Sequence, residues 1–172
     1  DGVFPDMDSA IAAADKAARE YRTASMAERR RYVAALREAM LRPENLDHMA
    51  VQAVQQTGMG DVAHQYLKNK MAAELTPGVE DLVTDAYSGD DGLTTVEYSA
   101  YGVIGAITPT TNPTETITCN SIGMLAAGNA VVFSPHPRAR DLSVWQVQQI
   151  NRALAAVGAP ANLVVTVAEP SI

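Results

Sequence analysis

A single cysteine, Cys119, stands in 172 residues, which excludes an internal disulfide framework and any zinc site built from several thiolates, and fits a reducing, cytoplasmic setting. No apolar run approaches the roughly 20 residues needed to cross a bilayer. The opening Asp1-Gly2-Val3-Phe4-Pro5 lacks the basic-then-apolar character of a secretion signal, so no membrane partner is expected. Basic charge is scarce as well: 13 Lys and Arg against 20 Asp and Glu leave a formal charge of -7. Such a field repels polyphosphate, and no nucleic-acid partner is expected. No metal-ligand spacing links His48 and His64, which read as surface residues of helices, so no metal is expected. Gly-x-Gly-x-x-Gly is absent too; any dinucleotide must be held in another way.

What is present is 47% hydrophobic residues, enough for a real core. The first residue is not Met and Ser171-Ile172 follow directly on a strand-like run, so both ends read as cuts through something longer. Residues 1–89 are Ala-rich and helical in pattern: Ile11, Ala14, Ala18 and Tyr21, then Tyr32, Val33, Leu36 and Met40, recur at three and four. Ser25-Met26-Ala27-Glu28 has the form of a capping box opening the second helix, which Pro43 ends. A third helix is expected from about Glu44 to Gly58, and a fourth from about Asp61 to just before Pro77-Gly78.

Residues 90–101 follow the turn-rich Ser88-Gly89-Asp90-Asp91-Gly92 with an alternating β-type run, Leu93 to Tyr98. Residues 102–172 are α/β. Strands are expected at 103–107, 130–133 and 163–167, with helices at 114–127 and 142–157 between them. Trp145 is placed on the buried face of the last helix. Strands this apolar, separated by helices, predict a parallel, Rossmann-like sheet covered on both faces. Ligands of such sheets sit beyond the carboxyl ends of the strands, which selects Thr108 to Asn112, Ser134 to Pro137 and Ala168 to Pro170.

In the first of these segments Asn112 suits an N-cap, Pro113 the first helical position and Glu115 the reciprocal place of a cap. Two readings stay open there: a well-capped helix with no ligand, or N–H groups and Thr and Asn side chains turned toward a phosphate or a developing oxyanion. In the second, Pro135 and Pro137 impose a rigid course suited to a flat adenine or ribose, and His136 is a base, a ligand contact or a plain loop residue. Cys119 lies about a turn into a helix with no His close in sequence, so it reads as a packed thiol.

Gln56-Thr57-Gly58-Met59-Gly60, Lys68-Asn69-Lys70, Thr76-Pro77-Gly78-Val79-Glu80-Asp81-Leu82, Tyr101 to Pro109 and Ser134-Pro135-His136-Pro137 occur in this order. In them the chain resembles the CoA-acylating aldehyde dehydrogenases, especially the propionaldehyde and acetaldehyde enzymes of bacterial microcompartments. The resemblance implies the N-terminal portion of an aldehyde dehydrogenase-like α/β fold, incomplete here: a helical part, an oligomerisation-type strand segment and the first half of a nucleotide-binding domain. It implies oxidation of a short-chain aldehyde through a cysteine thiohemiacetal, with NAD as cofactor and coenzyme A as co-substrate, the nucleophile lying after Ile172. It further implies a homo-oligomer, and cytoplasmic placement that extends to a microcompartment and its shell. Asn112 and Thr111 become the candidate catalytic pair, Asn112 by its amide and Thr111 by its place opposite the oxyanion asparagine of hydrolytic relatives. Thr108, Pro109 and Thr110 would border the nicotinamide side, and Ser134, Pro135, His136 and Pro137 the adenosine side. A non-catalytic assembly module of the same fold and an acyl-phosphate reductase of the same superfamily are the alternatives.

Overall fold

The computed structural model describes residues 2–170. Helices α1 (Met7–Tyr21), α2 (Met26–Leu41), α3 (Pro43–Thr57) and α4 (Val62–Leu75) fill the first half, as their apolar spacing predicts. Tyr32, Val33, Leu36 and Met40 are all buried. Helix α1 differs from expectation: its inner stripe is Ala10, Ala14, Ala17, Ala18 and Tyr21, whereas Ile11 is exposed. Alanines let the α1 backbone approach its neighbours closely, which turns the larger Ile11 outward. The Tyr21 hydroxyl donates to the Leu125 carbonyl at 2.8 Å, anchoring the end of α1.

The capping box forms as read. The Glu28 N–H donates to Ser25 Oγ, and the Glu28 carboxylate accepts from the Ser25 N–H at 2.7 Å. Donation to the carboxylate by the Ser25 N–H and by the Ser25 hydroxyl, at 2.8 Å, holds the Glu28 carboxyl below its ordinary value of 4.5. A depressed folded-state pKa contributes stability that is present above the ordinary value and lost as pH falls through the folded one. The acid side of a plot of melting temperature against pH should therefore flatten in Glu28→Gln; an unaltered acid limb would show that the box contributes nothing.

An antiparallel hairpin of β2 (Asp85–Gly89) and β3 (Gly92–Val96) is exposed on every residue. It begins at Asp85, earlier than the Leu93 start of the expected β-type run, because both strands of the pair are needed to satisfy either one's backbone. The main sheet is wholly parallel, in the order β1-β6-β5-β4, from β1 (Val3–Phe4), β4 (Val103–Thr108), β5 (Ala130–Pro135) and β6 (Val164–Val167). Two-residue β1 carries no period and escaped sequence reading. Helices α5 (Pro113–Ala126) and α6 (Arg140–Ala156) connect the strands, and α1 lies against β4, β5 and β6. Phe133, in central β5, is fully buried.

Between α5 and β5, Gly128 has φ +86° and a Cβ there would lie 2.7 Å from the Arg29 guanidinium. A side chain would thus meet both a strained backbone and an occupied space. Coverage of the sheet is less complete than the sequence suggested. Ile107 is 87% exposed near the end of edge strand β4, although Val132 farther back on the same face of the sheet is buried. Trp145 is half-buried rather than buried, stacked on the half-buried His48 with ring centroids 4.1 Å apart. No described helix is long and apolar enough to cross a membrane.

Candidate functional site

Strands β4 and β5 are hydrogen-bonded neighbours, with Thr108 in register with Pro135. The chain therefore leaves both strands on the same side, and the His136 N–H donates to the Thr108 carbonyl at 3.2 Å. The two sequence-selected segments are brought together by this pairing. Neither is buried as a whole: Pro109, Thr111, Asn112 and Pro137 are exposed, and Thr110, Ser134 and His136 are half-buried.

Three details depart from the sequence reading. Asn112 occupies the N-cap position of α5, but its side chain makes no capping bond, with φ -141° and ψ 60°. Its carbonyl instead accepts from Thr116 Oγ1 at 2.6 Å. Glu115 does not return to the cap; its carboxylate accepts from Thr114 Oγ1 at 3.2 Å and pairs with Lys68. Ser134 and Pro135 belong to strand β5 rather than to a loop. Pro135 stands there at the last position of the strand, where a missing N–H costs no interior ladder bond. The loop proper begins at His136, whose Nδ1 accepts from the Arg138 N–H at 3.2 Å and so caps the short turn Pro137–Ala139.

Strand alternation sets which side chains face the opening. Ala106, Phe133 and Thr108 point to the buried side, while Ile107 pairs with Ser134 on the opposite one and Gly105 is exposed beside them. Gly105, Ile107 and Ser134 thus share one face of the sheet beside the two loops, a platform open at Gly105 and Ile107 and half-covered at Ser134. Thr108 Oγ1 is buried without a hydrogen-bond partner. The third segment is engaged elsewhere, since the Ala168 N–H donates to Phe4 and Glu169 pairs with Arg140 at 3.0 Å.

Sequence reasoning missed the residues that hold the first loop in place. Lys68 of α4 puts its Nζ 3.0 Å from Glu115 Oε1 and 3.4 Å from the Thr111 carbonyl. That carboxylate oxygen receives no aligned hydrogen bond, so the contact with Lys68 is chiefly ionic. From α6, buried Gln146 donates to the Thr114 carbonyl and to Thr118 Oγ1, both at 2.9 Å. A polar residue inside an apolar helix face was the available signal for Gln146; Lys68 was marked only as part of the Lys68-Asn69-Lys70 motif, which gives it no role.

Beside the loop, α4 and α5 form a shallow groove of about 340 Å³ lined by Met71, Leu75 and Cys119, with Lys68 and Glu115 at its polar edge. Cys119 Sγ lies 3.0 Å from the Thr76 hydroxyl. A hydroxyl is not a base strong enough to favour a thiolate.

Known proteins share this fold over nearly all of the chain. The chain is similar in structure to the propionaldehyde dehydrogenase of Rhodopseudomonas palustris solved with bound propionyl-CoA, with 61% identity, a TM-score of 0.97, and coverage of 99% of this chain and 38% of that one. An engineered glycolyl-CoA reductase solved with bound NADP+ is similar at 60% identity and a TM-score of 0.97, over 99% of this chain and 38% of the other. In sequence, the CoA-propanoylating propanal dehydrogenase of Citrobacter freundii is 45% identical over 99% of this chain and 36% of its own length. The chain thus spans little more than a third of the relatives it matches. The model of the aldehyde dehydrogenase family matches residues 4–171, and with an α/β fold whose paired strand ends carry the expected loops, the chain belongs to the aldehyde dehydrogenase family.

Proposed function

We propose that this chain forms the first part of the cofactor-facing region of an enzyme that oxidises a short-chain aldehyde to its acyl-CoA thioester, with NAD as hydride acceptor and coenzyme A as acyl acceptor. The observation that carries this reading is the pairing of Thr108 with Pro135, which puts the two loops side by side next to a partly open platform. The platform suits a flat cofactor: Gly105 offers no side chain, Ile107 an apolar surface, Ser134 a hydroxyl, and a Cβ at Gly105 would meet nothing within 4 Å. A bound nicotinamide would supply the acceptor for the aldehyde hydrogen. The contribution of this chain is to bind and orient. Pro109 and Thr110 border the nicotinamide, while Ser134, His136 and Pro137 border the adenosine; Thr108 and Pro135, expected from sequence to join them, are buried and instead set the spacing of the two loops. Thr111 and Asn112 present donors to the substrate oxygen as negative charge develops on it. The Asn112 amide suits that role because the fold does not use it as a cap.

The nucleophilic thiol is assigned to a residue outside this segment. With a hydroxyl as its neighbour, Cys119 is packing, and Cys119→Ala in the full-length polypeptide should keep its turnover. Propionaldehyde, NAD and coenzyme A should together give NADH and a thioester, followed by NADH absorbance. Undiminished NADH formation with coenzyme A omitted, with free acid as product, would remove the acylating assignment. Turnover that requires phosphate and NADPH instead would favour an acyl-phosphate reductase.

A further inference from the structure

Lys68 lies outside both loops and no role in the reaction follows from the motifs around it. It is nevertheless the point where α4 meets the polar turn at the start of α5. Its ammonium has three acceptors in reach: Glu115 Oε1 at 3.0 Å, the Thr111 carbonyl at 3.4 Å and Gln65 Oε1 at 3.5 Å. Glu115 is 7% exposed, and a carboxylate that deep needs a partner to remain charged. Gln146 fixes the same turn from the opposite helix through the Thr114 carbonyl. Thr111 and Asn112 are the exposed residues of this turn, and no side-chain cap holds them. The sole contact from α4 to their backbone among the described hydrogen bonds is the one from Lys68.

We infer that Lys68, seated on buried Glu115, is a positioning residue that holds the Thr111–Asn112 peptide with its carbonyl toward α4, leaving the Asn112 N–H directed away from α4 on the exposed turn. The order of the contacts explains the division of labour. Glu115 is the closer and charged partner, so it fixes where the ammonium sits. The Thr111 carbonyl is then drawn to a cation already in place, at little further loss of side-chain freedom. A peptide held in this way keeps its donors pointed at one spot, which is what stabilising a developing oxyanion requires.

The kinetic consequence rests on the proposed function; the effect on the turn does not. Two measurements on the full-length polypeptide separate them. In Lys68→Met, amide hydrogen exchange of the segment Thr110 to Asn112 should rise above that of the parent, while exchange in β4 and β5 stays as it was. The same variant should lose about tenfold to a hundredfold in kcat with little change in KM for NAD, because the His136 side of the site is untouched. Lys68→Met combined with Glu115→Gln removes the unpaired buried carboxylate and so guards against simple misfolding. It should regain the parent's melting temperature without regaining kcat, and Lys68→Arg should recover part of it. Unchanged exchange in the turn, or full recovery of kcat in the double variant, would overturn the assignment. If the parent shows no coenzyme A-dependent NADH formation, the proposed function fails, and the exchange comparison still decides whether Lys68 holds the turn.

Discussion

Asn112→Asp in the full-length enzyme should lose about a hundredfold or more in kcat while its melting temperature stays level or rises. The two effects have opposite signs for one reason. Asn112 stands at the N-terminus of α5, where the negative charge of an aspartate is favoured by the helix dipole even though the backbone angles keep the side chain from capping. Its amide, however, makes no bond to the helix, so the present side chain contributes nothing as a cap and is free for another task. In the proposed role, converting that donor to a carboxylate puts negative charge where the substrate oxygen would gain it. Asn112→Ala should lose turnover to a similar degree with no gain in stability. Turnover within a few-fold of the parent in both variants would move the donor role to Thr111, the neighbour on the same exposed turn.

Replacing Phe133 by Ala should lower stability by about 3–5 kcal/mol, seen as a shifted midpoint in urea unfolding. Phe133 is fully buried in β5, between β4 and β6, opposite Ala106 on one side and Thr166 on the other. Alanine at Ala106 leaves the ring's space unshared, so little can collapse into the cavity that truncation opens. A typical domain is stable by only about 5–15 kcal/mol, and losing a third of that also loosens the Thr108–Pro135 pairing two residues on. A shift worth less than about 1 kcal/mol would mean that the strand ends are held by their loops rather than by this core.

Much of the fold was legible from residue spacing. The helices from α1 to α4 follow from apolar residues every three to four, the hairpin turn at Gly89–Gly92 from its Gly and Asp residues, and the alternation of strands with α5 and α6 from short apolar runs between helical segments. The motifs from Gln56 to Pro137 carried the family. The errors have physical causes. Ile11 was placed inward from its spacing to Ala14, Ala18 and Tyr21, yet the buried stripe runs through the alanines beside it. Strand β1 was invisible because two residues cannot show a period. Asn112 was read as a cap from its residue type, but its backbone angles put the side chain elsewhere. Ser134 and Pro135 were given to a loop because proline usually ends a strand, though the final position tolerates it.

The site divides in the same way. That Thr108 to Asn112 and Ser134 to Pro137 would flank a ligand followed from their places after strands. That they lie side by side depends on β4 and β5 being neighbours.

By itself the sequence determined which segments are helix or strand, which strands are deeply apolar, and the family to which the chain belongs, because local burial is written in periodicity and short motifs. Only the tertiary structure decided the order β1-β6-β5-β4, the exposure of Ile107 and the meeting of Lys68 with Glu115 and Thr111. Those contacts join residues far apart in the chain, and periodicity tells whether a side chain is buried but not which distant residue it is buried against.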